Sequence, residues 1–545
     1  MKKFFKKMMA CCLSVLLILG ASVSFGCQPK SDIWIDPNRT QLYIGIKEDG
    51  IGREWIDAIV TEYEKVYTDI QVIVESKNTE FDTDQLKATI NYNRQDMYFV
   101  SMLDYYGFVN LDGSSDLLLD MTDVVTEAYE DEPSIWDKMD ESNQNYFNVS
   151  KGVDKKIYAI PYCSSFWGLI YDKDFFRGMN LYNVDGYVGI DGVIDTDDDF
   201  YGPDGLEDTF DDGLPGTWED MKLLIDLMVE KGITPFTWTG QYYTYRTQWL
   251  NSVIASYEGI NDFNLRLSFN GTDSQFGEIT DANAYQLVDQ EGVKAALTVA
   301  KHIASSSNFY SSKVTNLSQS HKQAQLEFIK SVKTKYPIGF LIESGWWENE
   351  AKNYFTEMEN SYGEDYAYGK RNFGWLPFPR FVGTDGIADQ TNENIIMYGG
   401  GGDATVGACI ISKATEKAEI AKSFVKFAHT YDMLELFTVK TGMKRTFNYN
   451  MSEENEAKLS PYAREIIELT NNPNVKIAGG KIINQMRSDN RTYFNNWGFG
   501  AKIGGTTVSD PLLTFINKAN VSVSDYVDGI KAIYNETSWK QKLGF

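Results

Sequence analysis

The chain has 545 residues, 43% hydrophobic and 14% aromatic, with 51 basic against 77 acidic residues and a net charge of -26. Such a length can bury a large core and points to two or more domains. So acidic a surface is repelled by phosphate backbones and anionic lipid, which argues against nucleic-acid binding and leaves the choice of partner open.

At the N-terminus, Lys2, Lys3, Lys6 and Lys7 precede an apolar run from Met8 to Gly20, and small residues lead on to Cys27. This is the pattern of a secretory signal over residues 1–26, which stands outside the fold. Ser24-Phe25-Gly26-Cys27 resembles a bacterial lipobox, in which the cysteine is lipidated and becomes the first residue of the mature chain. It departs from that pattern at Ser24, where leucine is usual, and the other reading is an ordinary signal with an incidental cysteine. Removing the signal takes away four lysines and no acids, leaving 47 basic against 77 acidic residues. No later stretch approaches the roughly 18 apolar residues of a membrane span. Cys163 and Cys409 lie in apolar runs and read as buried thiols, in a compartment that also permits a disulfide.

After a polar leader over 27–40, the run Leu42 to Ile46 reads as a strand. Ile56, Ile59, Val60, Tyr63 and Tyr67 then lay one apolar stripe along a helix, and a second strand follows over Ile70–Val74. This βαβ opening predicts an α/β fold. Further strands are expected at Met97–Val100, Ile157–Pro161, Gly168–Tyr171, Ile338–Ile342 and Val406–Ser412. Helices are expected at Glu219–Glu230, Val293–Ala304 and Glu416–Tyr431, and Thr217-Trp218-Glu219-Asp220 has the form of a capping box. Alternation over the whole length describes two α/β lobes.

Five segments in order carry a resemblance. They are Tyr158-Ala159-Ile160-Pro161 with Gly168 to Phe176, Leu214 to Asp220, Lys335 to Trp347, Trp375-Leu376-Pro377-Phe378-Pro379, and Ile410 to Phe427. Together they resemble the bacterial extracellular solute-binding proteins for sugars, of the maltose-binding type. The resemblance implies a two-lobe, type II periplasmic-binding-protein fold. The first lobe would be 41–166 with 379–443, and the second 167–378 with 444–545. It also implies a monomeric, non-enzymatic protein that holds a carbohydrate in the cleft, closes by a hinge motion and passes its ligand to the permease subunits of an ATP-driven importer. Cys27 would supply the anchor to the cell membrane.

A sugar offers apolar C–H faces to aromatic rings and hydroxyls to Asp, Glu, Asn and Arg. With 12 Trp, 33 Tyr and 31 Phe, most rings must be core. The resemblance nominates Glu48 and Asp49 after the first strand, against a plain solvated turn, and Asp104 with Tyr105 after the strand at Met97–Val100. Trp167 at the first crossing is ligand contact or interlobe core. One of Tyr242 and Tyr243 is expected to stack on ligand, the rival being packing on the next helix. Trp346 and Trp347 in a glycine-containing turn form the strongest pair. Asp403 sits in a glycine run that lets backbone approach closely. Arg445 could hold hydroxyls, a carboxylate or a salt bridge between lobes, and Trp497 resembles a late cleft aromatic.

Residues 185–213 depart from the family. Asp191 to Asp199 recurs, with period 13, as Asp204 to Asp212. So many carboxylates repel unless a cation intervenes, and hard oxygens between glycine turns suit calcium. Asp191, Asp195, Asp197, Asp199, Asp204, Asp208 and Asp211 are the candidate ligands of a structural Ca2+, against a disordered acidic loop. Two other functions stay open: an extracellular glycosidase, which needs two carboxylates roughly 5–10 Å apart, and a calcium-dependent glycan-binding surface protein. The histidines are only His302, His321 and His429, and neither His-Glu-x-x-His nor Gly-x-Ser-x-Gly occurs, so zinc-protease and serine-hydrolase readings lack their motifs.

Overall fold

The structure is a computed structural model that describes residues 34–48, 50–77, 83–92, 95–100, 105–110, 112–150, 152–163, 165–181, 213–381, 395–399, 407–479 and 499–543. In chain order its strands are β1 (Thr40–Lys47), β2 (Ile70–Lys77), β3 (Met97–Val100), β4 (Ala159–Cys163), β5 (Trp167–Asp172), β6 (Thr234–Thr237), β7 (Gly271–Asp273) and β8 (Gly277–Ile279). These are followed by β9 (Ile338–Ser344), β10 (Phe373–Leu376), β11 (Ile395–Tyr398), β12 (Gly407–Ile411), β13 (Val475–Ala478), β14 (Ala501–Ile503) and β15 (Thr506–Val508).

Two mixed sheets carry the architecture. The first runs β2-β1-β3-β12-β4, and the second runs β13-β11-β5-β9-β6 with β10 also paired to β5. In the first, β1 is parallel to β2 and β3, while β12 is antiparallel to β3 and β4. The sequence builds each half from apolar runs too rich for one solvated face, so helices must cover both sides. The helix Glu54–Val66 puts Trp55, Ile56, Ile59 and Tyr63 inward. Trp55 meets Phe99 at 5.2 Å and Phe437 at 5.1 Å between ring centroids, closing the first core. Each such side chain contributes about 1.5–3 kcal/mol on burial. The second core gathers around the helices Trp218–Glu230, Leu250–Glu258 and Glu291–Ala304, with the C-terminal segment packed against it through Phe515, Tyr526 and Trp539. The expected capping box is present, with the Thr217 side chain accepting from Asp220 N and Asp220 reaching back to Thr217 N.

The chain first passes between sheets from Cys163 to Trp167. Two other boundaries differ. Strand β11 belongs to the second sheet, so the return falls between Tyr398 and Gly407 rather than at 379. Phe447 and Tyr449 pack in the first lobe's core, so the last passage comes after 449 rather than at 444. The helix expected over Glu416–Tyr431 runs Ala418–Phe427 and stops short of Tyr431, where a further helix, Tyr431–Thr441, starts after the extended N-cap Thr430. Cys163 and Cys409 are both buried, on adjacent strands, and are not joined by a disulfide. Among the described residues no helix is long and apolar enough to cross a membrane.

Candidate functional site

The lobes meet where β1 and β9 end. In open α/β sheets ligands gather beyond the carboxyl ends of the strands. Here β9 leads through Gly345 to Trp346. The turn is pinned to the first crossing, since Gly345 N donates to Phe166 O at 3.0 Å and to Ser165 Oγ at 3.0 Å. From the other side, the Tyr462 hydroxyl donates to Gly345 O at 2.9 Å. Trp346 is half-buried and packs against the cores of both lobes. Its indole lies so close to Gly50 that a Cβ there would fall 2.5 Å from Cδ1. Asn349 Nδ2 donates to Gly50 O at 2.9 Å, and Lys352 pairs with Glu54 at 3.1 Å. The turn after β1 therefore seats on the segment after β9.

Beside this contact, on the second lobe, four rings form a patch. Trp167 meets Tyr245 edge-on at 4.8 Å, Tyr245 stacks on His321 at 5.8 Å, and Tyr242 lies 5.5 Å from His321. Tyr242 is 41% exposed and forms the open side of the patch. The loop bearing these tyrosines is fastened by Gln241 N donating to Gln319 O and by Arg246 buried against Asp510.

Beneath the rings runs a hydrogen-bonded chain. Gln325 Nε2 donates to Glu343 Oε2 at 3.2 Å and to Glu350 Oε2 at 2.7 Å, while His321 Nε2 lies 3.1 Å from Glu350 Oε1. Ser344 N donates to Glu343 Oε1 at 2.8 Å. Burial first, then the Glu350 charge, pushes the Glu343 carboxyl up to about 8. Burial also acts to raise Glu350, but the hydrogen bond and charge of His321 outweigh it and hold this carboxyl below its usual range. For His321 the signs reverse: burial lowers it, and Glu350 with Glu343 leaves it raised. Burial and both carboxylates push the Tyr245 hydroxyl well above its ordinary value. The arrangement can stack apolar faces of a ligand and offer polar atoms at its edge. His321 Nδ1 and Ser344 Oγ have no hydrogen-bond partner among the described residues.

Of the residues the sequence nominated, the structure brings together Trp167, Tyr242 and Trp346 near the junction, with Glu48 half-buried at the exit of β1. Tyr243 is half-buried at the head of the helix Thr244–Thr247. Three expectations are corrected. Tyr105 is fully buried, its hydroxyl donating to Phe147 O and accepting from Tyr158 N at 3.0 Å each, so it serves the first core. Trp347 is 0% exposed and meets Phe373 edge-on at 5.0 Å. As the first residue of a short helix it turns inward while Trp346 stays at the junction. Arg445 is buried and spends its guanidinium on Ala428 O at 2.7 Å, Tyr162 O and His429 Nε2, with no carboxylate in ion-pair range among the described residues. Asp49, Asp104, Asp403, Trp497, Cys27 and all seven candidate calcium ligands lie outside the described residues, among which no metal-holding cluster occurs.

The sequence reading passed over Tyr245, His321, Gln325, Glu343 and Glu350. One signal was available: His321 and Gln325 are four apart in a helix capped by Ser320 and Gln323, so they share a face.

The geometry agrees with solved structures. RafE in complex with raffinose superimposes with a TM-score of 0.55 at 12% identity, covering 92% of this chain and 100% of that one. Maltose-bound MalE3 of T. maritima gives 0.55 at 14%, covering 91% and 99%. A protein studied for xylan utilization in Caldanaerobius polysaccharolyticus gives 0.56 at 13%, covering 91% and 100%. At these identities the likeness shows the fold, two α/β lobes of the type II periplasmic-binding kind. No curated protein matches the sequence. A family profile, described as bacterial extracellular solute-binding protein, matches residues 49–432, and the chain belongs to that family.

Proposed function

We propose that the protein is the extracytoplasmic substrate-binding component of an ATP-driven importer, held at the cell membrane by lipidated Cys27, and that it captures an oligosaccharide between its lobes. The observation that carries this reading is the ring patch of Trp167, Tyr242, Tyr245 and His321 beside Trp346 at the lobe junction. Such rings suit the C–H faces of a sugar, and structural relatives hold raffinose and maltose. The protein works as a monomer that docks on permease subunits once closed, so the ligand acts by shifting a population. The buried carboxylates favour binding over hydrolysis: Glu343 is 1% exposed and both its oxygens already accept hydrogen bonds. A structural calcium ion in the Asp-rich segment 185–213 completes the proposal. The test is a thermal-shift screen against raffinose, maltose, xylotriose and chitotriose. A bound sugar raises the melting temperature, by about 2.7 kcal/mol of stabilisation at a hundredfold excess over Kd. Absence of any rise, or release of shorter sugars, counts against it.

A further inference from the structure

The chain beneath the ring patch is more than packing. His321 opens the helix His321–Ser331, Gln325 stands one turn further on, Glu343 and Ser344 end β9, and Glu350 ends the helix Trp347–Glu350. The groups facing His321 are Glu350 and Glu343 from those two elements, Lys322 on its own helix, and the Tyr242 and Tyr245 rings above. Among the described residues its imidazole is the only group hydrogen-bonded into this network that can carry a positive charge. A helix N-terminus disfavours an imidazolium, so the Glu350 contact at 3.1 Å is what makes that charge tenable. With His321 protonated and Glu343 neutral, the chain is balanced. Without those protons, two carboxylates share one Gln325 amide in a buried place, and both of them disfavour charge on the Tyr245 hydroxyl above.

We propose that Tyr245 and His321 form the second lobe's stacking platform for a carbohydrate face, and that Glu343, Gln325 and Glu350 are positioning groups that tie this platform to the proton on His321. The proposal rests on the carbohydrate reading above. Its consequence is directional. Capture is strongest where His321 holds its proton and weakens as rising pH strips the protons from His321 and Glu343.

The test uses the full-length chain with carbon-13-labelled histidines, of which there are three. His321 should titrate above 6.5, and Glu350→Gln should bring it down. Raffinose, maltose, xylotriose and chitotriose are then added in turn. A sugar that raises the melting temperature should also move the His321 resonance, and its Kd should rise about fivefold between about pH 6 and about pH 9. Glu343→Gln, which mimics the neutral acid, should flatten that rise, whereas Glu343→Ala should weaken binding throughout. A sugar that stabilises the protein yet leaves the His321 resonance unmoved and its Kd independent of pH overturns the proposal while sparing the carbohydrate reading. If none of the four sugars stabilises the protein, the carbohydrate reading falls and takes the proposal with it.

Discussion

Replacing Gly50 by alanine should open the molecule without unfolding it. Gly50 does not use a left-handed conformation, so the backbone accepts alanine, but the new Cβ would lie 2.5 Å from Cδ1, 2.7 Å from Nε1 and 2.9 Å from Cγ of Trp346. A planar indole wedged between two cores has no soft end to yield, so the turn after β1 must lift away. Lifting it breaks the hydrogen bond from Asn349 to Gly50 O, about 1 kcal/mol, and removes the indole's packing on the first lobe, about 1 kcal/mol more. Together, about 2 kcal/mol moves the open-to-closed ratio about thirtyfold. Each lobe keeps its own core, so the melting temperature should fall by only a few degrees. Small-angle scattering of the free protein reads the change as a larger radius of gyration, and tryptophan emission should shift to the red as Trp346 meets water. Unchanged scattering and emission in Gly50→Ala would refute the claim that this contact holds the lobes together.

Trp346→Ala should abolish sugar-induced tryptophan quenching while the fold survives; undiminished quenching and affinity would remove Trp346 from the site. Trp347→Ala should instead cost about 3–5 kcal/mol of stability by emptying a core position, read as an early chemical-denaturation midpoint. Because the Glu343 pKa rises on folding from 4.5 to about 8, the folded state holds a proton that the unfolded chain loses across that window, so stability should decline as pH rises from 4.5 towards 8, and Glu343→Gln should lessen the decline in melting scans. If the Asp-rich segment holds calcium, a chelator should lower the melting temperature and added calcium restore it; an unmoved transition denies the ion a structural role.

What could be read from the residues followed from local rules. The stripe Ile56, Ile59, Tyr63 forces one helix face inward, and Thr217 three places before Asp220 fixes a helix start, so both were legible. Trp346's place at the lobe junction was legible because a glycine turn follows the apolar run Ile338–Ile342. Trp347 was not, because its fate depends on the direction of a four-residue helix that only the partners Phe328, Phe373 and Tyr462 determine. Tyr105 and Arg445 misled for a similar reason: a polar group marks a site only if tertiary neighbours leave it unspent, and here backbone carbonyls consume both. The chain under the ring patch joins residues from one strand and two helices, a convergence no spacing announces. The boundary near 379 slipped because β11 is a short strand whose sheet is decided by its pairing with β13, about 80 residues away.

A sugar gripped between the lobes against Trp346 and the Tyr245 patch would depend on that ring. The decisive measurement is calorimetric titration of whichever sugar raises the melting temperature, into the unaltered protein and into Tyr245→Ala. Single-site binding should weaken by more than about tenfold in the variant, the loss of one ring contact and its positioned neighbour. Equal affinity in both proteins would place the ligand elsewhere and contradict it.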